Sequence, residues 1–158
     1  MPGTPSQNAS CFHCGLPVDD NNRVEKIIQE QRFSVKNKFI PKGKDAAKAI
    51  VKELKNGGNV GILVDQKLNN GIAVPFFGND AMTAPAIAQF ALKFNSKIVP
   101  ANIIRHKGQK FTVKFYQPIE IENKSVLQIM TEINAILEDW IRQNPSQWFW
   151  VHKRWPKK

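Results

Sequence analysis

The chain has 158 residues, enough for one domain around a single core, and 42% of them are hydrophobic, which excludes an intrinsically disordered segment. No apolar run reaches the roughly 20 residues of a spanning helix, and no basic stretch leads into an apolar one as in a signal peptide. Twenty-three bases against 13 acids give a net charge of +10; from Arg23 onward the 23 bases face 11 acids. The stretch from Arg142 holds Arg142, Lys153, Arg154, Lys157 and Lys158 without an acid. Such a surface attracts polyanions, whether nucleic acid, anionic headgroups or an acidic carrier protein, and a solvated lysine-rich face is the plain alternative.

Residues 1–22, rich in Pro, Ser, Asn and Gly, read as a flexible leader. Within them Cys11-Phe-His-Cys14 offers two thiols beside His13. A closed zinc site needs four ligands, and the other histidines are His106 and His152. No metal site is expected. A redox pair would need a strand ahead of it, and none is expected there.

Val24, Ile27 and Ile28 predict a helix over Asn21–Phe33, and Ala47, Ile50, Val51 and Leu54 predict a second over Lys42–Asn56, stopped by Gly57-Gly58. Val60–Val64 reads as a short strand covered on both faces, with Asp65-Gln66 at its C-terminal end, the edge where open α/β sheets bind ligands. Lys67–Gly71 is expected to loop. Ile72–Phe77 is expected to be extended, with a Pro75-Phe76-Phe77-Gly78 turn.

Thr83 can cap a helix bearing Ile87, Phe90, Ala91 and Phe94, with Pro85 in its first turn and Asn95 as its stop. Lys97–Ile104 reads as a buried strand broken at Pro100. Lys110–Tyr116 alternates as a strand with one wet face. Ser125 caps a long helix carrying Val126, Ile129, Met130, Ile133, Ile136, Leu137, Trp140 and Ile141 on one face, closed by Pro145. The order is α/β, and it reads as part of a larger sheet.

Four blocks carry a resemblance: Phe39-Ile-Pro-Lys-Gly-Lys-Asp-Ala-Ala47; Val60-Gly-Ile-Leu-Val-Asp-Gln66 with Val74-Pro-Phe-Phe-Gly78; Thr83-Ala-Pro-Ala-Ile-Ala88 with Ile98-Val-Pro100; and Trp148-Phe-Trp-Val-His-Lys-Arg-Trp-Pro156. In order and spacing, from about Asn21, they resemble the C-terminal portion of the lipid A biosynthesis lauroyl/myristoyl acyltransferase family. The resemblance implies an incomplete mixed-sheet acyltransferase fold with helices packed on the sheet, over residues 23–158. It also implies transfer of a fatty acyl chain from acyl carrier protein to a lipid A precursor, at the cytoplasmic face of the inner membrane of Gram-negative bacteria. No cofactor is implied.

The family's base is a histidine in a His-x4-Asp/Glu motif, whose carboxylate orients the imidazole. Here the fifth residue after His13 is Val18, after His106 Phe111 and after His152 Lys157, and Asp19 stands one position too far from His13. No catalytic residue is therefore assigned, and the chain is expected to be inactive alone. Leu16-Pro17-Val18 stands where a family Tyr-Arg pair usually falls. Cys11–Val18 is instead similar to a short N-terminal string of heavy-metal-transporting ATPases, as a leader foreign to the family would be.

Asp65 and Gln66 either position substrate or simply end a strand. Pro75, Phe76, Phe77 and Gly78 either border an acyl groove or fill a core turn. Thr83 is a helix cap first and a ligand contact second. Trp148, Trp150, Arg154 and Trp155 suit a membrane interface, with indoles at headgroup level. The same interleaving suits single-stranded nucleic acid, and a third arrangement folds the tail back into the core. No nucleic-acid motif accompanies the charge, so nucleic acid is not an expected partner. A non-catalytic basic module that binds anionic lipid or a partner chain is the alternative to an acyltransferase fragment.

Overall fold

A computed structural model describes residues 11–16, 26, 38–41, 45–151 and 153–155. It divides the chain into two compact units, residues 1–63 and 64–158. Among the described residues the architecture is mixed α/β, as expected. The strands form one parallel three-stranded sheet and two antiparallel hairpins.

In the first unit β1 (Cys11–Leu16) lies between β2 (Lys38–Pro41) and β3 (Asn59–Ile62), parallel to both. The composition of residues 1–22 suggests a flexible leader, but residues 11–16 of that stretch are a strand paired on both sides. The helix α1 (Ala46–Lys55) precedes β3, with Ile50 buried and Val51 and Leu54 half-buried. Gly57, at φ 73°, follows its end, as the Gly-Gly stop requires. The helix expected over Asn21–Phe33 lies outside the described residues except at Lys26, which is helical.

The second unit is built on the hairpin of β4 (Lys67–Phe76) and β5 (Asn79–Thr83). Both Lys67 and Ile72 register against Thr83, so residues 68–71 bulge out of the ladder. The loop expected at Lys67–Gly71 is thus an excursion within a strand. β5 itself went unrecognised in the sequence. The hairpin reverses over Phe77 and Gly78, both with positive φ (49° and 73°), as a two-residue type I′ connection demands.

After β5 comes α2 (Ala86–Phe94), which ends at Asn95 in the left-handed conformation expected of its stop. Its N-cap position is Pro85 and not Thr83, whose hydroxyl is engaged elsewhere. A second hairpin pairs β6 (Ala101–Arg105) with β7 (Phe111–Phe115). Neither strand is covered as expected: β6 alternates between exposed and half-buried, and every residue of β7 is exposed.

The long helix α3 (Val126–Gln143) starts at a full capping box, Ser125 with Gln128. It buries Ile129, Met130, Ile133, Leu137 and Ile141 against Val74, Phe76 and Ala81 of the first hairpin and Ala88 and Ala91 of α2. Ile98 and Ile119, bridged to each other, complete this core. Beyond α3, residues Pro145–Gln147 make one 3₁₀ turn, from which the Gln147 side chain accepts from the Arg105 N–H (2.8 Å) and donates to the Arg105 carbonyl (3.1 Å).

Gly71 is required by proximity: a Cβ there falls on the Thr83 carbonyl, a backbone atom that cannot move aside alone. Gly71→Ala is predicted to lower unfolding stability by about 1–3 kcal/mol in a denaturant titration. An unchanged midpoint would contradict the close approach of the bulge to β5.

Candidate functional site

Of the residues singled out in the sequence, Phe76, Thr83, Trp148, Arg154 and Trp155 meet on the β4–β5 hairpin whose turn holds Phe77 and Gly78, and Trp150 does not. That turn is held from α3 by two polar side chains one helical turn apart. Asn134, fully buried, donates to the Pro75 carbonyl (2.9 Å), and Glu138 accepts from the Phe77 N–H (2.8 Å). The other Glu138 oxygen takes Arg142 at 2.7 Å, and the Arg142 guanidinium lies 4.9 Å over the Phe77 ring. A phenylalanine at positive φ is strained, and this network supplies what holds it there. Neither Asn134 nor Glu138 was picked out by sequence reasoning. Their signal was two polar residues at i, i+4 beside a face that is otherwise apolar.

The tail after the 3₁₀ turn folds back onto the same hairpin. Trp155 donates from its indole Nε1 to the Phe76 carbonyl (3.0 Å) and stacks on the Phe76 ring at 5.5 Å and 27°. Trp148 packs on Phe76 from 6.1 Å. Arg154 lies beneath, with no exposed surface. Its guanidinium donates to the Met82 carbonyl (2.8 Å) and to the Thr83 hydroxyl (2.7 Å), and sits 5.2 Å over the Phe76 ring. The Thr83 hydroxyl in turn donates to the Ala81 carbonyl (2.9 Å).

Arg154 therefore does not stand at a surface among headgroups, as its place in a basic, Trp-rich tail suggested. Two oxygen acceptors and an aromatic face give the guanidinium an interior position, although its Nε has no partner. Burial lowers its pKa from the usual arginine range, and the negative charge of Asp65 opposes that shift. Asp65 stands outside ion-pair distance, so its contribution is a field and not a contact.

The candidates thus separate by reach. Phe76 and Thr83 have no exposed surface; Asp65, Gln66 and Phe77 are half-buried; Pro75 and Gly78 are exposed. Trp150 is exposed, its indole N–H bonded to the Pro145 carbonyl (2.7 Å), while Trp148 and Trp155 are half-buried. None of these residues lines the open hollow of about 440 Å³ along α1, which is bordered by Ala47, Val51, Asn56 and three lysines. His106 bonds to the Thr112 hydroxyl (2.8 Å) and to no carboxylate, and His13 and His152 carry no described side chain. Among the described residues no cluster of His, Cys, Asp and Glu has the makings of a metal site.

Arg154→Ala is predicted to cost about 3 kcal/mol, because it strands the Met82 carbonyl and the Thr83 hydroxyl and opens space against Phe76. Arg154→Lys should recover only part of that, since an ammonium cannot reproduce the fork. With Thr83→Val added, the double-mutant cycle should be clearly non-additive in chemical denaturation. Additive losses would show that the two side chains are not coupled.

Comparison with known proteins agrees with this assembly of motifs. The family model described as bacterial lipid A biosynthesis acyltransferase matches residues 7–157. The match extends the resemblance upstream of Asn21, over β1. No curated protein matches the chain. With nearly its whole length aligned, from the first sheet to the tryptophan-rich tail, the chain belongs to the bacterial lipid A biosynthesis acyltransferase family.

Proposed function

We propose that the chain is part of an acyltransferase that moves a fatty acyl group from acyl carrier protein to a hydroxyl of a lipid A precursor, and that it does not catalyse the transfer alone. In that reaction the carrier thioester C–S bond breaks, an ester C–O bond forms, and the hydroxyl proton passes to the released thiol. A base must take that proton, and the family uses a histidine oriented by a carboxylate. The observation that carries the proposal is the family match over residues 7–157 in a chain whose three histidines all lack the His-x4-Asp/Glu spacing.

The β4–β5 turn is the element proposed to border the acyl chain. Pro75, Phe77 and Gly78 offer reachable apolar surface there, and Asp65 and Gln66 are the polar residues proposed to position substrate. Phe76 and Thr83 act from behind, as the bed on which the turn rests. Purified chain given acyl-loaded carrier protein and a lipid A precursor is expected to show no turnover. Activity that survives His13→Ala, His106→Ala and His152→Ala together would refute the proposed absence of catalytic machinery.

A second role, peripheral binding to an anionic membrane at its cytoplasmic face, is supported by the net charge of +10 and by the exposed run Phe149, Trp150 and Val151 next to Lys153. Among the described residues no helix is long and apolar enough to cross a membrane. Vesicle flotation should rise with the fraction of acidic lipid and fall with added salt. Binding indifferent to lipid charge would rule this role out.

A further inference from the structure

The β6–β7 hairpin leaves an apolar sheet face open. Ala101, Ile103 and Arg105 stand directly opposite Phe115, Val113 and Phe111, so these six side chains share one face of the ribbon. Ile103 is 65% exposed, Phe111 55%, Val113 53% and Phe115 72%, although regular alternation normally buries one face of a strand. The contiguous aliphatic and aromatic surface sits on a hydrogen-bonded two-stranded ribbon and not on a loop tip.

The charge around this face is of one sign. Arg105 on the face and Lys107 and Lys110 at its tip are bases, and no acid occurs between Asp80 and Glu120; Lys114, opposite Asn102, stands on the reverse face with its ammonium 4.9 Å over the Tyr116 ring. Lys107 and Lys110 sit exposed in the connection at the tip. The Arg105 guanidinium lies 5.3 Å over the Phe111 ring, closing the apolar face at that end with a cation. An exposed greasy face rimmed by bases and free of acids matches an apolar layer covered by phosphates. A second copy laid on the same face would oppose two sets of three cations, Arg105, Lys107 and Lys110 of each copy. Nucleic acid would gain little from the aliphatic Ile103 and Val113, which offer no stacking plane.

We propose that the β6–β7 hairpin is a docking surface for an anionic lipid bilayer, with Ile103, Phe111, Val113 and Phe115 entering the headgroup boundary and Lys107 and Lys110 at the tip meeting lipid phosphates. This deepens the membrane-binding role above and rests on it, while moving the principal contact from the tryptophan tail to the second hairpin.

The test is flotation of the full chain with phosphatidylcholine vesicles, with and without phosphatidylglycerol. Phe111→Ser/Phe115→Ser and Lys107→Glu/Lys110→Glu should each reduce partitioning to acidic vesicles by about tenfold or more. The lysine pair is exposed, so its thermal midpoint should match that of the parent chain and separate binding from folding. Trp150→Ser/Lys153→Glu in the tail should reduce partitioning by less than either hairpin pair does. Hairpin variants that bind like the parent while the tail pair loses binding would overturn the hairpin assignment and leave membrane binding standing. A parent chain that floats with no vesicle would remove both, without bearing on the acyl-transfer reading, which is measured by turnover. Hairpin variants that abolish a dimer or retention on single-stranded DNA, with vesicle binding intact, would assign the face to a second copy or to nucleic acid instead.

Discussion

A buried guanidinium ties the two ends of the second unit together. Arg154 spans the Met82 carbonyl and the Thr83 hydroxyl and lies on the Phe76 ring, so a residue four from the C-terminus is tied to a hairpin some seventy positions earlier. A charge taken out of water is costly unless its donors are occupied, and here two of the three nitrogens are. The tail must return to the hairpin for Arg154 to be accommodated. In that position Trp155 and Trp148 also pack on Phe76.

The hairpin turn is gripped independently by Asn134 and Glu138 from α3. One element of the sheet is therefore bracketed by a helix on one approach and by the chain terminus on another. This accounts for a turn that holds phenylalanine in a backbone region the residue ordinarily avoids. In a family whose chemistry handles an acyl chain, an aromatic turn braced from two directions keeps an apolar surface in fixed register. Residues such as Phe76, Thr83 and Arg154 then matter through what they support, and sequence motifs alone do not separate them from residues that touch substrate.

Much of the fold was legible because the decisive signals were local. The Ser125 capping box, the Asn95 stop and the apolar face of α3 all follow from periodicity and cap chemistry. The Pro-Phe-Phe-Gly turn was equally plain. What escaped were elements defined by distant partners. β5, Asn-Asp-Ala-Met-Thr, lacks β-branched residues until Thr83 and is a strand because β4 pairs with it. β1 lies in a short Cys-Phe-His-Cys-Gly-Leu string, hidden in a stretch whose Pro, Ser, Asn and Gly read as a leader, and is extended between two parallel neighbours. Arg154 looked like a surface cation for the same reason, since nothing near it in sequence announces the two acceptors it meets.

The bond pair between Gln147 and Arg105 has a bearing on solubility. A hairpin of two strands exposes unpaired amides along its outer rim, and such rims recruit strands from other molecules. At Arg105 a carboxamide already occupies both the N–H and the carbonyl, imitating a neighbouring peptide unit one residue long. An incoming strand would meet no vacant partner at that position, so the hairpin that leaves its flat greasy face open is blunted against edge-to-edge aggregation at one end.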